Sequence, residues 1–158
     1  MKTASVRLVQ AETPDEFEQG RSLFREYAEA LSFDLCFQDF EHELEQLPSV
    51  YGASEGRLLL VYSGPELAGC VGVRRFAPGI CEMKRMYLRP QFRGQGIGRQ
   101  MATAIVNAAR ALGYQEMRLD TVPWMKEAIA LYESLGFQDI APYRPNPIPG
   151  ARYLQLVL

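Results

Sequence analysis

The sequence predicts a single mixed α/β domain over residues 1–158: a mostly antiparallel sheet of about six to seven strands with one parallel pair, flanked by about four helices. Three observations predict it. Strand-like runs at Arg57 to Ser63, Glu66 to Phe76 and Ile80 to Leu88 are separated only by Gly64-Pro65 and Pro78-Gly79, turns so short that consecutive strands must be antiparallel neighbours. The strand, helix, strand unit from Ile80 to Thr121 is a crossover, and a right-handed crossover makes its two strands parallel. Finally, 158 residues that are 47% apolar and 23% charged have the size and mix of one soluble domain, with no internal repeat, low-complexity tail or second domain.

The elements follow in order. Val6 and Leu8 alternate with Arg7 in a short first strand. Thr13-Pro14-Asp15-Glu16 then reads as a capping box, with Thr13 as N-cap, Pro14 at the first helical position and Glu16 reaching back to the cap. The helix runs to about Leu31 and buries Phe17, Leu23, Phe24, Tyr27 and Leu31 along one stripe. An aromatic-rich stretch, Phe33, Phe37 and Phe40, leads into a weaker helix that ends near Leu47-Pro48. Beyond the three hairpin strands, Pro90 closes the last of them and a glycine cluster opens a strong helix. Ile97, Met101, Ile105, Ala108 and Leu112 recur there at helical spacing, and Gly113 terminates it. From Tyr114 to Thr121, Met117, Leu119 and Thr121 alternate with Glu116, Arg118 and Asp120, which predicts a strand broken by Pro123. Ala128, Leu131, Tyr132 and Leu135 mark a short helix closed by Gly136, and Phe137 opens the next strand. A stiff proline connector between Pro142 and Pro149 precedes a final strand, Tyr153 to Leu158.

Charge and composition exclude several functions. A formal net charge of −2 offers no global field for nucleic acid or an anionic membrane, so an anionic ligand must be held locally. No apolar run approaches the ~20 residues of a membrane span, and the N-terminal stretch lacks the apolar centre of a secretory signal, which predicts a cytoplasmic protein. Cys36, Cys70 and Cys81 show no CxxC spacing and read as reduced thiols. His42 is the only imidazole and lies between Glu41 and Glu43 as a solvated surface group. A metal site is therefore not expected, and neither is a Ser-His-Asp or Cys-His mechanism that lacks this residue.

The informative segment is Leu88-Arg89-Pro90-Gln91-Phe92-Arg93-Gly94-Gln95-Gly96-Ile97-Gly98-Arg99, between a strand and a helix start. Alternate glycines let the backbone wrap closely around a ligand. The unpaired N–H groups of the first helical turn present the positive end of the dipole, so the segment reads as a phosphate cradle, with Arg93 and Arg99 flanking it. It is not a P-loop, since no Gly-Lys-Ser or Gly-Lys-Thr follows at the required spacing. Nor is it the dinucleotide fingerprint, whose third glycine position is Arg99.

Arg93-Gly94-Gln95-Gly96-Ile97-Gly98, preceded by Leu88-Arg89-Pro90, resembles the R/Q-x-x-G-x-G/A signature of the GNAT superfamily of acyl-CoA-dependent N-acyltransferases. Ala128 to Phe137 is similar to that family's second signature, a helix carrying Leu-Tyr followed by Gly-Phe. The order and spacing agree from about Val6 to Leu158. The resemblance implies a GNAT-like fold with two splayed central strands, here Ile80 to Leu88 and Tyr114 to Thr121, and acetyl-CoA as co-substrate. Its diphosphate would lie on Arg93, Gly94, Gln95, Gly96, Ile97, Gly98 and Arg99, and its pantetheine amides would pair with the backbone of Met86, Tyr87 and Leu88 like an added strand. One departure stands out: Met125 occupies the place where many members carry a cofactor-contacting asparagine.

The implied reaction is attack of a neutral amine on the thioester, which needs a base for the amine and an acid for the departing thiolate. The resemblance offers Glu82 as general base, directly or through a water. Among Cys81, Met83 and Met86 its pKa is expected to rise, whereas the competing role is an ion pair with Lys84 or Arg74. It offers Tyr132 as general acid, against the simpler role of a core aromatic with a satisfied hydroxyl. The acceptor pocket is expected to draw on Tyr27, Phe33, Phe37, Arg74, Arg75, Tyr143 and Asn146, an arginine there suiting a carboxylate-bearing amine such as an amino acid. The leading expectation is an N-acetyltransferase acting on a small primary amine. Its rivals are a peptide or protein N-acetyltransferase and an acyl-CoA-binding sensor without turnover. Monomer and homodimer both fit the family, the final strand being available to pair across a two-fold axis.

Overall fold

The computed structural model describes residues 5–31, 39–52 and 54–158; Phe33, Cys36 and Phe37 lie outside them. One sheet contains β1 (Val6–Gln10), β2 (Arg57–Ser63), β3 (Glu66–Ala77), β4 (Ile80–Leu88), β5 (Glu116–Thr121), β6 (Gln138–Asp139) and β7 (Arg152–Val157), in the order β1-β2-β3-β4-β5-β7-β6. Only β4 and β5 run parallel; the other neighbours are antiparallel. The helices are α1 (Pro14–Ala30), α2 (Phe40–Glu45), α3 (Leu47–Tyr51), α4 (Ile97–Ala111) and α5 (Lys126–Ser134). The sheet class and the parallel pair match the sequence expectation.

Local chemistry explains the element boundaries. The Thr13 hydroxyl accepts from the Glu16 amide at 3.2 Å while Glu16 Oε1 accepts from the Thr13 amide at 3.0 Å, which closes the box at the start of α1. Gly64 and Gly79 supply the left-handed conformations of the two-residue turns on either side of β3. Two expectations need correction. The weak helix does not end near Leu47-Pro48: it breaks at Gln46, and Pro48 stands in the first turn of α3, where its missing N–H costs nothing. The final strand is not the outermost one: β7 lies between β5 and the two-residue β6, which pairs with it only at Leu154 and Gln155.

The strand alternation divides the core between the two faces of the sheet. Leu59, Val61, Val71, Val73, Cys81 and Met83 pack with Ile97, Met101 and Ile105 of α4. Leu58, Leu60, Cys70 and Tyr87 pack with Phe17, Leu23, Phe24, Leu47 and Tyr51 of α1 and α3. Helix α1 approaches β2 closely at Gly20, where a Cβ would stand 2.5 Å from Leu58 Cδ2. No helix among the described residues is long and apolar enough to cross a membrane.

Two irregularities position the site. First, β4 and β5 pair only at Ile80↔Glu116, Cys81↔Met117 and Glu82↔Arg118. Beyond that point β4 stays with β3 and β5 stays with β7, so a gap opens between them. Second, Lys84 faces Gly72 and Tyr87 faces Cys70, which leaves one surplus residue on β4 between them. The surplus is a β-bulge at Arg85, whose φ of 55° is left-handed and costs about 1–3 kcal/mol in a non-glycine residue.

Candidate functional site

The cradle is built from backbone. A single 3₁₀ turn, Pro90–Phe92, follows β4, and Gly94 (φ 78°) and Gly96 (φ 79°) then turn the chain into α4. Gly96 is the N-cap, so no side chain covers the first-turn amides of this fifteen-residue helix. A Cβ on Gly94 or Gly96 would meet nothing within 4 Å, and one on Gly98 would make only ordinary contacts, 3.7 Å from Met86 Cε and 3.8 Å from Leu131 Cδ2. The protein's own packing therefore leaves free the space around the loop, which suits an anion held by amides. Arg93 donates from Nε to the Leu88 carbonyl at 2.9 Å and its side chain stays exposed.

From the cradle a cavity of about 900 Å³ runs into the gap between the strands. Its walls are Met83 to Leu88 of β4, Leu119 to Val122 at the end of β5, the last turns of α1 through Tyr27 and Leu31, and Trp124 to Ala128 with Leu131 and Tyr132 around α5. Arg93, Gly94, Gly96, Ile97 and Gly98 line its mouth, together with Met86, Tyr87 and Leu88. Beyond Glu82 the β5-facing edge of β4 has no strand on it, so its peptide groups face this space. Gln95 and Arg99, expected at the cradle, are not on the cavity wall: Gln95 is exposed, and Arg99 instead donates to Ser134 Oγ of α5 at 2.7 Å. Tyr132 is buried on the wall, with its hydroxyl 3.6 Å from Met86 Sδ, its ring 5.7 Å from that of Phe137, and its phenol pushed well up by burial. Met125, at the position where the resemblance implies an asparagine, accepts at Sδ from Thr121 Oγ1 at 3.8 Å.

The inner end of the cavity rests on a charged network. Glu82 is fully buried and does not line the cavity. Arg74 Nη2 lies 3.2 Å from its Oε1, Arg144 Nη2 2.6 Å from its Oε2, and the Tyr143 hydroxyl donates to Oε2 at 2.8 Å. Burial alone would raise the Glu82 carboxyl, but Lys84, Arg144 and Arg74 outweigh it and hold its pKa down to about 2. The rise expected from its apolar neighbours is thus reversed, because the cations are tertiary neighbours. Arg74 and Tyr143, expected in the acceptor pocket, serve this cluster and do not line the cavity. Tyr143 is fixed between the rings of Phe76 and Tyr153, at 5.0 and 5.2 Å. Arg144 also reaches Asp120 Oδ1 at 3.6 Å, and Asn146 Nδ2 donates to Asp120 Oδ2 at 3.4 Å; both Asp120 and Asn146 are on the cavity wall.

Sequence reasoning missed Arg85 and Asp120 at this end and named Lys84 only as a candidate ion-pair partner of Glu82. Arg85 is buried and bonds Glu43 of α2 with both Nε (3.2 Å) and Nη2 (2.6 Å), while the Tyr51 hydroxyl donates to Glu43 at 2.7 Å. Burial would raise Glu43, yet Arg85 holds it ionised. Asp120 alternates with Leu119 and Thr121 like a solvent-facing residue, so its only sequence signal was its place near the end of the strand.

Comparison with known proteins is concordant. The model of the acetyltransferase (GNAT) family matches residues 17–137. The chain is 36% identical over 158 residues to an uncharacterized N-acetyltransferase of Schizosaccharomyces pombe, covering 99% of this chain and 97% of the relative. It is similar in structure to an acetyltransferase of Streptococcus agalactiae, with a TM-score of 0.78, 19% identity and coverage of 97% and 98% of the two chains. A Bacillus subtilis acetyltransferase solved in complex with CoA superposes with a TM-score of 0.69 at 20% identity, covering 98% and 99%.

Proposed function

The chain belongs to the acetyltransferase (GNAT) family, and from that premise we propose that it transfers the acetyl group of acetyl-CoA to the primary amine of a small molecule, by direct attack. N-acetyltransfer from acetyl-CoA is the activity of the family; the acceptor class and the residue roles are the proposal. Acetyl-CoA fits the site: the amides of Gly94 to Gly98 would hold its diphosphate, and the open edge of β4 at Met86, Tyr87 and Leu88 would pair with its pantetheine amides. When bound, it supplies the acetyl thioester.

Acylation forms a C–N bond and breaks a C–S bond, with one proton lost from nitrogen and one gained by sulfur. Tyr132 is suited to the second proton. Its hydroxyl stays protonated well above neutral pH, and the residue lines the cavity with that hydroxyl 3.6 Å from Met86 Sδ of β4. This placement is the observation that carries the reading. Asp120, whose Oδ2 accepts from Asn146, is the carboxylate on the cavity wall that meets the incoming amine and takes the proton lost from nitrogen. Glu82 is better read as an ionised anchor than as the proton acceptor first expected, since a carboxyl with a pKa of about 2 is a weak base. Through Arg144, whose Nη1 lies 3.6 Å from Asp120 Oδ1, it is coupled electrostatically to Asp120. A screen of small amines and short peptides against acetyl-CoA, read as thiol release, tests the reading. Turnover of small amines supports it, and turnover of peptides alone, or binding of CoA with no turnover, overturns it.

A further inference from the structure

The stretch of β4 offered to the pantetheine arm is gripped from behind at both ends. From the bulge onward, Arg85, Tyr87 and Arg89 alternate towards the sheet face covered by α1 to α3, while Met86 and Leu88 pack on the α4 side. Each arginine meets a helix carboxylate through the same two nitrogens: Arg85 Nε and Nη2 lie 3.2 and 2.6 Å from Glu43 of α2, and Arg89 Nε and Nη2 lie 2.9 and 2.5 Å from Glu26 of α1. The Tyr87 hydroxyl also donates to Glu26, at 3.4 Å. Both carboxyls stay ionised: the Arg89 hydrogen bond holds Glu26 down, and at Glu43 burial is outweighed by Arg85. Both arginines are in turn tied to β3. Arg89 donates from Nη1 to the Leu67 carbonyl at 2.7 Å and from its amide to the Ala68 carbonyl at 2.8 Å, and the Arg85 carbonyl accepts from Cys70 Sγ at 3.5 Å.

We propose that Glu26 and Glu43 are positioning residues for the acyl donor: from α1 and α2 they hold the open edge at Met86 to Leu88 in the shape that receives the pantetheine arm. The inference rests on the pairing of that edge with acetyl-CoA put forward above. Beyond Glu82 this stretch of β4 has a strand on one side only and contains a left-handed residue, so its own ladder fixes it less firmly than a strand paired on both sides. Stability alone is a weak reason for the two pairs, since a partly exposed ion pair adds little and a buried one is often no better than an apolar contact. What they add is geometry: a planar guanidinium bonded through two nitrogens fixes direction as well as distance. An edge already in shape loses less freedom when the ligand binds, and that shows as affinity.

The test compares CoA with its nucleotide half, the phosphorylated adenosine diphosphate without the pantetheine arm, as ligands of the full chain in calorimetry. Wild type is expected to bind CoA at least about 10-fold more tightly. Glu26→Gln should lower CoA affinity by about 10-fold and leave the nucleotide half unaffected. By charge alone the loss of an anion would favour both anionic ligands, so the direction of the change separates shape from field. Arg89→Lys, which keeps the charge and gives up the fork, should lose CoA affinity in the same selective way. Glu43→Gln is expected to behave alike, with binding of the nucleotide half as the check on folding. Should that variant not fold, Tyr51→Phe decides in its place, since it removes a hydrogen bond that orients Glu43 and leaves the charge; a smaller loss of the same selective kind is expected. Unchanged CoA affinity, or an equal loss for both ligands, overturns the positioning role of the carboxylate concerned while leaving the edge as the pantetheine site. If the wild type binds the two ligands equally, the edge itself falls out of the proposed function, and this inference with it.

Discussion

The two ends of the cavity are made of different materials. The mouth centres on one contiguous run, Arg93 to Gly98, whose working groups are main-chain amides at a helix start and in which a Cβ on Gly94 or Gly96 would meet nothing. The inner end is assembled from side chains on separate elements: Arg74 of β3, Glu82 and Lys84 of β4, Asp120 of β5, Glu43 of α2 and Arg144 from the loop before β7. Amides in a fixed turn recognise a phosphate whatever it is attached to, whereas a charge network gathered from distant residues can be retuned one residue at a time. The mouth is thus suited to a common donor and the inner end to one acceptor.

This contrast can be broken experimentally. The largest effect is expected from Gly96→Val, since a β-branched side chain resists a φ of 79° and would obstruct the amides. CoA affinity measured by calorimetry should drop by at least about 100-fold, and wild-type affinity would remove the cradle from the site. Tyr132→Phe comes next: kcat should fall on the order of 100-fold with CoA affinity kept, and an unchanged kcat would return Tyr132 to a packing role. For Glu82→Gln we expect a smaller loss, about 10-fold in kcat/KM, with no recovery at alkaline pH, because an anchor cannot be replaced by hydroxide. Recovery at high pH would instead restore Glu82 as proton acceptor. The same substitution tests stability. The folded pKa of Glu82, about 2, lies below its ordinary 4.5, so its contribution is present above about pH 4.5 and is lost as the pH falls towards 2. Urea denaturation should show wild type and Glu82→Gln separated at pH 6 and converging near pH 2. The smallest effect is reserved for Thr13→Ala, far from both ends. It should cost about 1 kcal/mol in urea with kcat/KM unchanged, and a kinetic effect would reveal coupling between α1 and the cavity.

What could be read from the sequence follows the same division. The capping box at Thr13 and Glu16 and the glycine run before α4 are legible because each acts within a few consecutive residues. Pro48 was misread because proline breaks a helix at one position and begins one at another, and the sequence does not say which. Glu82 was read with two open roles, and its cross-strand register with Arg74 favours the ion pair. Arg144, which matters more, was hidden inside a proline-rich connector. Asp120 looked solvent-facing because period-two alternation takes no account of a neighbouring strand that turns away. The surplus residue at Arg85 carries no glycine to mark it.

That surplus residue also sets the parity of β4. Before it, Cys81 and Met83 point to the α4 side; after it, Met86 is on that side and Tyr87 packs with α1, the reverse of an uninterrupted count. Removing any one residue between Met83 and Met86 would therefore act as a frameshift in side-chain direction. Met86 would turn away from Tyr132 and the Tyr87 ring would swing across the sheet, so the length of this strand shapes the cavity wall as much as any side chain on it.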